Sequence, residues 1–322
     1  MKNVSIVIPL YNEEEVVEEL MRRLKNSLKG LNYNFEFILI DDGSADKTIE
    51  KLLICKNSEP RLKVIKLSKN WGHQNSYNAG LDHAVGDGVI MMDGDLEDPP
   101  ELIPTFLEKW EEGYDVVYGV KQSRQRSTLD KVLFWLFYKL LKFFANIRVD
   151  EHAGMFSLID SKVVERLRAC SEKNKFYVGL RALVGCNQVA VPFHREKRYA
   201  GSPKQTFKRL VNYALNAYFS FSFIPIRILT YFGLFLIFSN IMFCTFLIIG
   251  KVTDIPLGYF ELLRNFPGYY TSTVILIMFV MGVQIIFTGV IGEYVARIFE
   301  EVRNRPHYIV EKVFEADKKL EL

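Results

Sequence analysis

Two aspartates one residue apart, Asp93 and Asp95, follow an apolar run, Val89-Ile90-Met91-Met92. Gly94 between them allows a bend, so both carboxylates can aim at one point. Paired hard oxygen donors suit a divalent metal, magnesium or manganese. Pro99-Pro100-Glu101 then reads as a helix start. Proline is tolerated in a first helical turn, and glutamate favours that end of the dipole. On spacing alone, an acidic loop at a strand end explains the pair equally well. The chemistry therefore turns on what else the chain brings to that strand end.

Val4 to Pro9 reads as a short buried strand ending at Tyr11-Asn12-Glu13. Val16, Val17, Leu20 and Leu24 recur at helical spacing. Phe35 to Ile40 is a second strand, closing on Asp41-Asp42-Gly43-Ser44, with a helix from Asp46 onward. Strands at Val64–Leu67, Val89–Met92 and Asp115–Val120 and a helix at Asn75–Ala84 follow. This alternation predicts a parallel α/β sheet with helices on both faces. Ligands bind such sheets beyond the carboxyl ends of the strands. Three of those ends carry polar sets here: Tyr11-Asn12-Glu13, Asp41-Asp42 and Asp93-Gly94-Asp95. The chain has no G-x-G-x-x-G and no P-loop pattern, so dinucleotide and P-loop readings lack their motifs.

At 322 residues the chain can hold one globular domain and something more. Ile228 to Gly250 and Thr271 to Gly292 contain no charged residue. Each exceeds the roughly 20 residues that a helix needs to cross a bilayer. Two transmembrane helices are therefore expected, rather than a pair of buried core helices. Neither run is N-terminal, so neither is expected to be a cleaved signal. Lys204, Lys208, Arg209 and Arg227 precede the first run, and Arg297, Arg303 and Arg305 follow the second. The loop between has Lys251 and Arg264, balanced by Asp254 and Glu261. The positive-inside rule then places both ends of the chain, with the domain that precedes the first run, in the cytosol. Cys55, Cys170, Cys186 and Cys244 show no paired or metal-binding spacing and read as reduced, mostly buried small residues. A net charge of +3 is too small to point to nucleic acid and suits a basic face toward a lipid bilayer.

The motifs V-S-I-V-I-P-L-Y-N-E-E, I-D-D-G-S-A-D-K-T at 40–48, N-W-G-H-Q-N at 70–75 and D-G-D-L-E-D-P-P-E at 93–101 resemble the family-2 glycosyltransferases. R-Y-A-G-S-P-K at 198–204, two apolar runs and G-E-Y-V-A-R-I-F-E-E-V-R-N-R-P-H-Y at 292–308 extend the likeness over nearly the whole chain. There the chain is similar to the polyprenyl-phosphate glycosyltransferases. That group includes bactoprenol glucosyltransferases, aminoarabinose-type transferases and, more distantly, dolichyl-phosphate mannose synthase. The resemblance implies a GT-A (Rossmann-like), mostly parallel sheet domain over 1–203. A juxtamembrane amphipathic helix at 204–226, two transmembrane helices within 227–293 and a cytosolic tail at 294–322 complete the expected organisation. It also implies a multi-pass protein of the cell inner (plasma) membrane that serves the cell envelope.

By the same resemblance, Pro9, Tyr11, Asn12 and Glu13 hold the nucleotide, and Asp41 and Asp42 contact its base and ribose. Asp93 and Asp95 hold the metal and, through it, the diphosphate; with Glu97 they form the expected catalytic set. Glu97 stands where the family commonly has glutamine, and it can add a metal ligand or accept from a sugar hydroxyl. Bactoprenol glucosyltransferases often carry Asp after the glycine that matches Gly154, and Arg two residues later. Here those positions are Met155 and Ser157. The expected acceptor is an anionic phosphate monoester, which needs positioning more than deprotonation. Asp150 or His152 can orient it.

Lys121, Arg124 and Arg126 suit a lipid phosphate, though a solvated basic loop explains them equally. Arg198 and Lys204 extend that acceptor set, with Pro203 altering the family's Gly-x-Ser-Lys pattern. Leu129 to Ile147 reads as an apolar helix lying on the bilayer, and the helix from Thr206 as a basic amphipathic one at its surface. Tyr308-Ile309-Val310 is expected to form a strand that pairs with the sheet edge of a neighbouring subunit in a homo-oligomer.

The expected reaction moves a sugar from a nucleotide sugar, favoured as uridine-linked, to a polyprenyl (undecaprenyl) phosphate on the cytosolic leaflet. It proceeds with inversion, as the family does. A processive polysaccharide synthase shares the Asp-x-Asp domain, but the chain lacks a Q-x-x-R-W motif and further spans. A non-catalytic membrane partner that retains the fold would be favoured by loss of Asp93 or Asp95, and both are intact.

Overall fold

A computed structural model describes residues 1–121, 153–170, 172, 175, 177–194, 199, 229–236, 238–239, 241–242, 245, 269–303 and 305–315. The chain divides into two units, Met1–Ala217 with Arg305–Leu322, and Tyr218–Asn304.

The first unit is built on a mixed eight-stranded sheet. Its strands are β1 (Asn3–Leu10), β2 (Asn34–Asp41), β3 (Leu62–Leu67), β4 (Gly88–Met91), β5 (Val116–Lys121), β6 (Ala153–Asp160), β7 (Gln188–Phe193) and β8 (Val310–Phe314). The spatial order is β7-β5-β6-β4-β1-β2-β3-β8. The central run β4-β1-β2-β3 is parallel, as expected from the alternating strands and helices. Beyond it, β6 runs antiparallel to both β4 and β5, and β8 antiparallel to β3. Strands β1 and β2 are buried along nearly their whole length, which explains their mostly apolar sequence; the two polar side chains inside them, Ser5 and Glu36, bond each other.

Helices cover both faces. On one lie α1 (Val17–Ser27), α2 (Thr48–Ser58) and α4 (Ile103–Glu111). Helix α1 buries Val17, Leu20, Met21 and Leu24, and α4 buries Ile103, Phe106, Leu107 and Trp110. Both sets follow the i, i+3, i+4, i+7 stripe of an amphipathic helix. These residues share a core with Ile6, Ile8, Phe37, Leu39 and Ile90. On the other face lie α3 (His73–His83), α5 (Ser161–Ala169) and α6 (Tyr177–Leu183). A Cβ on Gly80 would run into Val7 Cγ1 and come within 2.9 Å of Ile40 Cδ1, so glycine there lets α3 lie directly on β1 and β2.

A C-terminal strand forms, but over Val310–Phe314 rather than Tyr308–Val310, and it pairs with β3 of its own sheet rather than with a neighbour. Without it the outer side of β3 would be an open edge, and a strand of the same chain reaches that edge at high effective concentration. Lys66–Glu311 (2.7 Å), Lys63–Glu315 (2.8 Å) and the Tyr308 hydroxyl donating to Asp82 (2.8 Å) fasten it. The cysteines also differ from expectation: Cys55, Cys170 and Cys186 are free but only partly buried. Cys55 follows Ile54, which is itself exposed on the outer side of α2.

In the second unit α7 (Tyr269–Val302) is continuous for 34 residues. Among the described residues one stretch, Leu276–Val302, is long and apolar enough to cross a membrane. Its 27 residues span about 40 Å at 1.5 Å per residue, against a hydrocarbon core of about 30 Å. The described residues of the first apolar run are helical, and Phe232 meets Phe287 of α7 edge to face at 6.2 Å. The expected helices at Leu129–Ile147 and from Thr206, and the loop between the apolar runs, lie outside the described residues, as does Cys244.

Candidate active site at the strand ends

The carboxyl ends of β1, β2 and β4 meet, because these three strands are adjacent and parallel. At the end of β4 the Asp93-Gly94-Asp95 turn presses against the end of β1. A Cβ on Gly94 would run into Leu10 Cδ2 and stand 3.0 Å from the Pro9 carbonyl oxygen. Glycine is therefore required for this approach. The turn closes with Glu97 N–H donating to Asp95 Oδ1 (3.1 Å), an Asx turn. Leu96 inside it is buried and left-handed (φ 59°).

Asp93 takes two side chains of α3 on one oxygen. The Tyr77 hydroxyl donates to Asp93 Oδ1 at 2.7 Å, and His73 Nε2 lies 2.9 Å from the same oxygen. Among the described residues no other group bonds Asp93, so Oδ2 is left over. Burial opposes ionisation of Asp93. The His73 charge and hydrogen bond, with Lys121 and Tyr77, outweigh burial and hold the carboxyl well below the usual range. Although half of the His73 side chain is open to solvent, desolvation of its ring among neighbours opposes its charged form, while Asp93, Asp95 and Asp42 raise its pKa above the ordinary value. Burial pushes the Tyr77 phenol far up, so it stays a donor.

The polar residues at the ends of β1 and β2 form a second layer. Asn12 is left-handed (φ 51°), a conformation that asparagine tolerates. Its N–H donates to Ser44 Oγ (2.9 Å), and its Oδ1 accepts from Ala45 N–H (2.8 Å). Glu13 N–H donates to Thr48 Oγ1 (2.9 Å). The Tyr11-Asn12-Glu13 turn is thus bolted to the 44–48 loop. Asp41 and Asp42 are both buried. Asp41 Oδ1 accepts from Ser44 N–H (3.2 Å), while its Oδ2 is buried without a partner. Asp42 takes the backbone N–H groups of Trp71 (2.7 Å) and Gly72 (3.0 Å), one on each oxygen, and so pins the start of α3. Burial raises the pKa of both carboxyls, and the hydrogen bonds from Ser44 to Asp41 and from Trp71 and Gly72 to Asp42 act against it.

Lys121, at the end of β5, reaches the same place. Its Nζ is 3.7 Å from the buried Asp98, and its charge acts on Asp93. Ser157 turns its hydroxyl back to the Met155 carbonyl (2.8 Å) within β6. Arg124, Arg126, Asp150, His152, Arg198 and Lys204 lie outside the described residues.

The structure therefore brings together Pro9, Asn12, Glu13, Asp41, Asp42, Asp93, Asp95 and Lys121 around adjacent strand ends. Sequence reasoning passed over His73 and Tyr77. Their spacing of four on a helix that opens at Gly72 puts both on one face, and that was the available signal. It also passed over Arg181, a buried guanidinium that donates to the Gly154 carbonyl (2.8 Å).

Asp93 and Asp95 fit a hard divalent cation. Among the described residues one of them keeps an oxygen without a partner, and both are carboxylates, the donor type magnesium and manganese prefer. Among the described residues no group of three or more His, Cys, Asp or Glu could hold a metal. The pair would need further oxygens from a ligand.

Residues 5–168 match the family described as glycosyl transferase family 2. The chain is 41% identical over 308 residues to a protein named as an uncharacterised glycosyltransferase of Synechocystis sp., covering 95% of this chain and 94% of that one. It is 35% identical over 311 residues to the SfII prophage-derived bactoprenol glucosyl transferase of Shigella flexneri, covering 96% and 97%. Among solved structures, glucosyl-3-phosphoglycerate synthase from Mycobacterium tuberculosis, in complex with Mn2+, uridine diphosphate and glucosyl-3-phosphoglycerate, aligns with a TM-score of 0.44. Its identity is 18%, over 66% of this chain and 76% of that one.

Proposed function

The chain belongs to glycosyl transferase family 2, and from that premise we propose that it moves a sugar from a uridine-diphosphate-linked donor to a polyprenyl phosphate. The transfer takes place on the cytosolic leaflet of the inner membrane, without building a polymer. The observation that carries this reading is Asp93, whose Oδ1 takes Tyr77 and His73 where three polar strand ends meet, and whose Oδ2 has no partner among the described residues. Similarity to a bactoprenol glucosyl transferase over almost the full length, apolar runs included, supports the acceptor class.

Asp93 and Asp95 hold the divalent cation, which when bound offsets the negative charge on the departing diphosphate. The Tyr11-Asn12-Glu13 turn, held to the 44–48 loop, walls the nucleotide. The unpartnered Asp41 Oδ2 accepts from the donor's base. Asp42 acts behind it by holding the loop at 71–72 in place. Lys121 offers a cation beside Asp93, where phosphate charge gathers. Arg124, Arg126, Arg198 and Lys204 bind the acceptor phosphate. That phosphate is already anionic, so Met155 in place of a carboxylate is compatible with transfer. Two helices, the first apolar run and α7, anchor the chain with both termini in the cytosol. Phe232 against Phe287 supports their pairing.

The test is a transfer assay on the detergent-purified chain with radiolabelled nucleotide sugars, with and without undecaprenyl phosphate, in manganese or in chelator. Label should enter the organic phase only with lipid and metal together. Label in a water-soluble polymer, or lipid labelling that persists in chelator, would refute the reading.

A further inference from the structure

Asp93 Oδ1 receives two groups from one helix. Tyr77 comes from the interior, fully buried, and His73 from the solvent side, with 48% of its side chain exposed. The two rings also touch each other edge to face, with centroids 4.8 Å apart. Helix α3 is itself held at its start by Asp42 and lies close on β1 through Gly80. The second torsion of an aspartate is broad and roughly two-fold when nothing holds it. Here both anchors choose the same oxygen, which fixes the rotation and leaves Oδ2 to other partners.

Resting on the reading of Asp93 as a metal carboxylate, we propose that His73 and Tyr77 are positioning residues that engage Asp93 Oδ1 and present Oδ2 to the divalent cation. Neither touches the sugar or the phosphates. Partners that orient a ligating carboxylate contribute about 10–100-fold in metal affinity where they have been removed. Tyr77 supplies a hydroxyl donor from a rigid ring inside the core. His73 supplies the second contact and leans on that ring. Because both act on one oxygen, their effects are shared rather than independent.

The experiment is a manganese titration of the full chain in detergent, following the free Mn2+ resonance, first with manganese alone and then with uridine diphosphate. Tyr77→Phe and His73→Ala should each weaken manganese binding about tenfold. His73→Gln keeps a donor at similar reach and should restore most of the affinity. The double variant should lose less than the product of the two single losses. Wild-type affinity in both Tyr77→Phe and His73→Ala would overturn the proposal while leaving the metal reading intact. No manganese binding by the wild type, with or without the nucleotide, would overturn the metal reading and this proposal with it. His73 is half exposed, so its variants test the point even where Tyr77→Phe lowers stability.

Discussion

Replacing Gly94 by alanine asks whether the Asp93-Asp95 turn depends on its close approach to β1. The added Cβ would stand 3.0 Å from the Pro9 carbonyl oxygen and 3.3 Å from Ile8 Cγ2, and would run into Leu10 Cδ2. Carbon–carbon contacts settle at about 3.5–4.0 Å. Leu10 is buried, and Pro9 is sheet backbone in the middle of the fold, so neither yields freely. The turn must retreat instead. Overpacking of this kind costs about 1–3 kcal/mol. At roughly 2–4 °C per kcal/mol for a domain of about 200 residues, melting should fall by roughly 2–12 °C. The rate should suffer more, because both carboxylates move with the turn and a misplacement of about 1 Å can cost about 100-fold. Gly113→Ala is the control. Gly113 is left-handed (φ 98°) with nothing within 4 Å, and it precedes β5 at the end opposite Lys121. Alanine there should cost about 1–2 kcal/mol in strain and leave transfer unchanged. Thermal melts and the lipid-transfer assay on both variants give the answer. Equal rate losses in the two variants at matched stability would refute the reasoning, as would a Gly94→Ala chain with wild-type rate.

Two further outcomes follow from the packing. Hydrogen bonding from Arg61, then Lys25, holds the Glu59 carboxyl down to about 2 against the effect of burial. Its ordinary value is about 4.3, so its contribution is present above about pH 4.3 and fades as pH falls toward 2. Arg61 is half exposed, which keeps that contribution to about 1 kcal/mol. Glu59→Gln should therefore be less stable than wild type at pH 7 and equal to it near pH 2 in urea melts; a gap that stays constant across that range would count against it. Removing residues 305–322 should bare the edge of β3, lower the melting temperature and promote aggregation. An unchanged melt and a clean elution profile would show that β8 is dispensable to the sheet.

The sequence by itself determined the parallel centre of the fold and which polar residues gather at its strand ends. Largely apolar strands such as Val4 to Pro9, in which Ser5 is the one polar side chain, call for burial on both faces, and strand–helix alternation then orders them in parallel. The polar sets at three strand ends were legible for the same reason: parallel strands bring like ends together. Only the tertiary structure decided what each polar residue is bonded to. Asp41 and Asp42 are neighbours with the same chemistry, yet one keeps a buried oxygen without a partner and the other caps the turn at 71–72. That difference depends on where the 69–72 loop lies, to which no local pattern points. His73 and Tyr77 likewise acquire meaning only when Gly80 lets α3 settle on β1 and carry them to Asp93. That a strand lies near the C-terminus was legible, but its extent and its partner were not. Pairing depends on which sheet edge stands open in space, and that is a property of the whole fold rather than of residues 310–314.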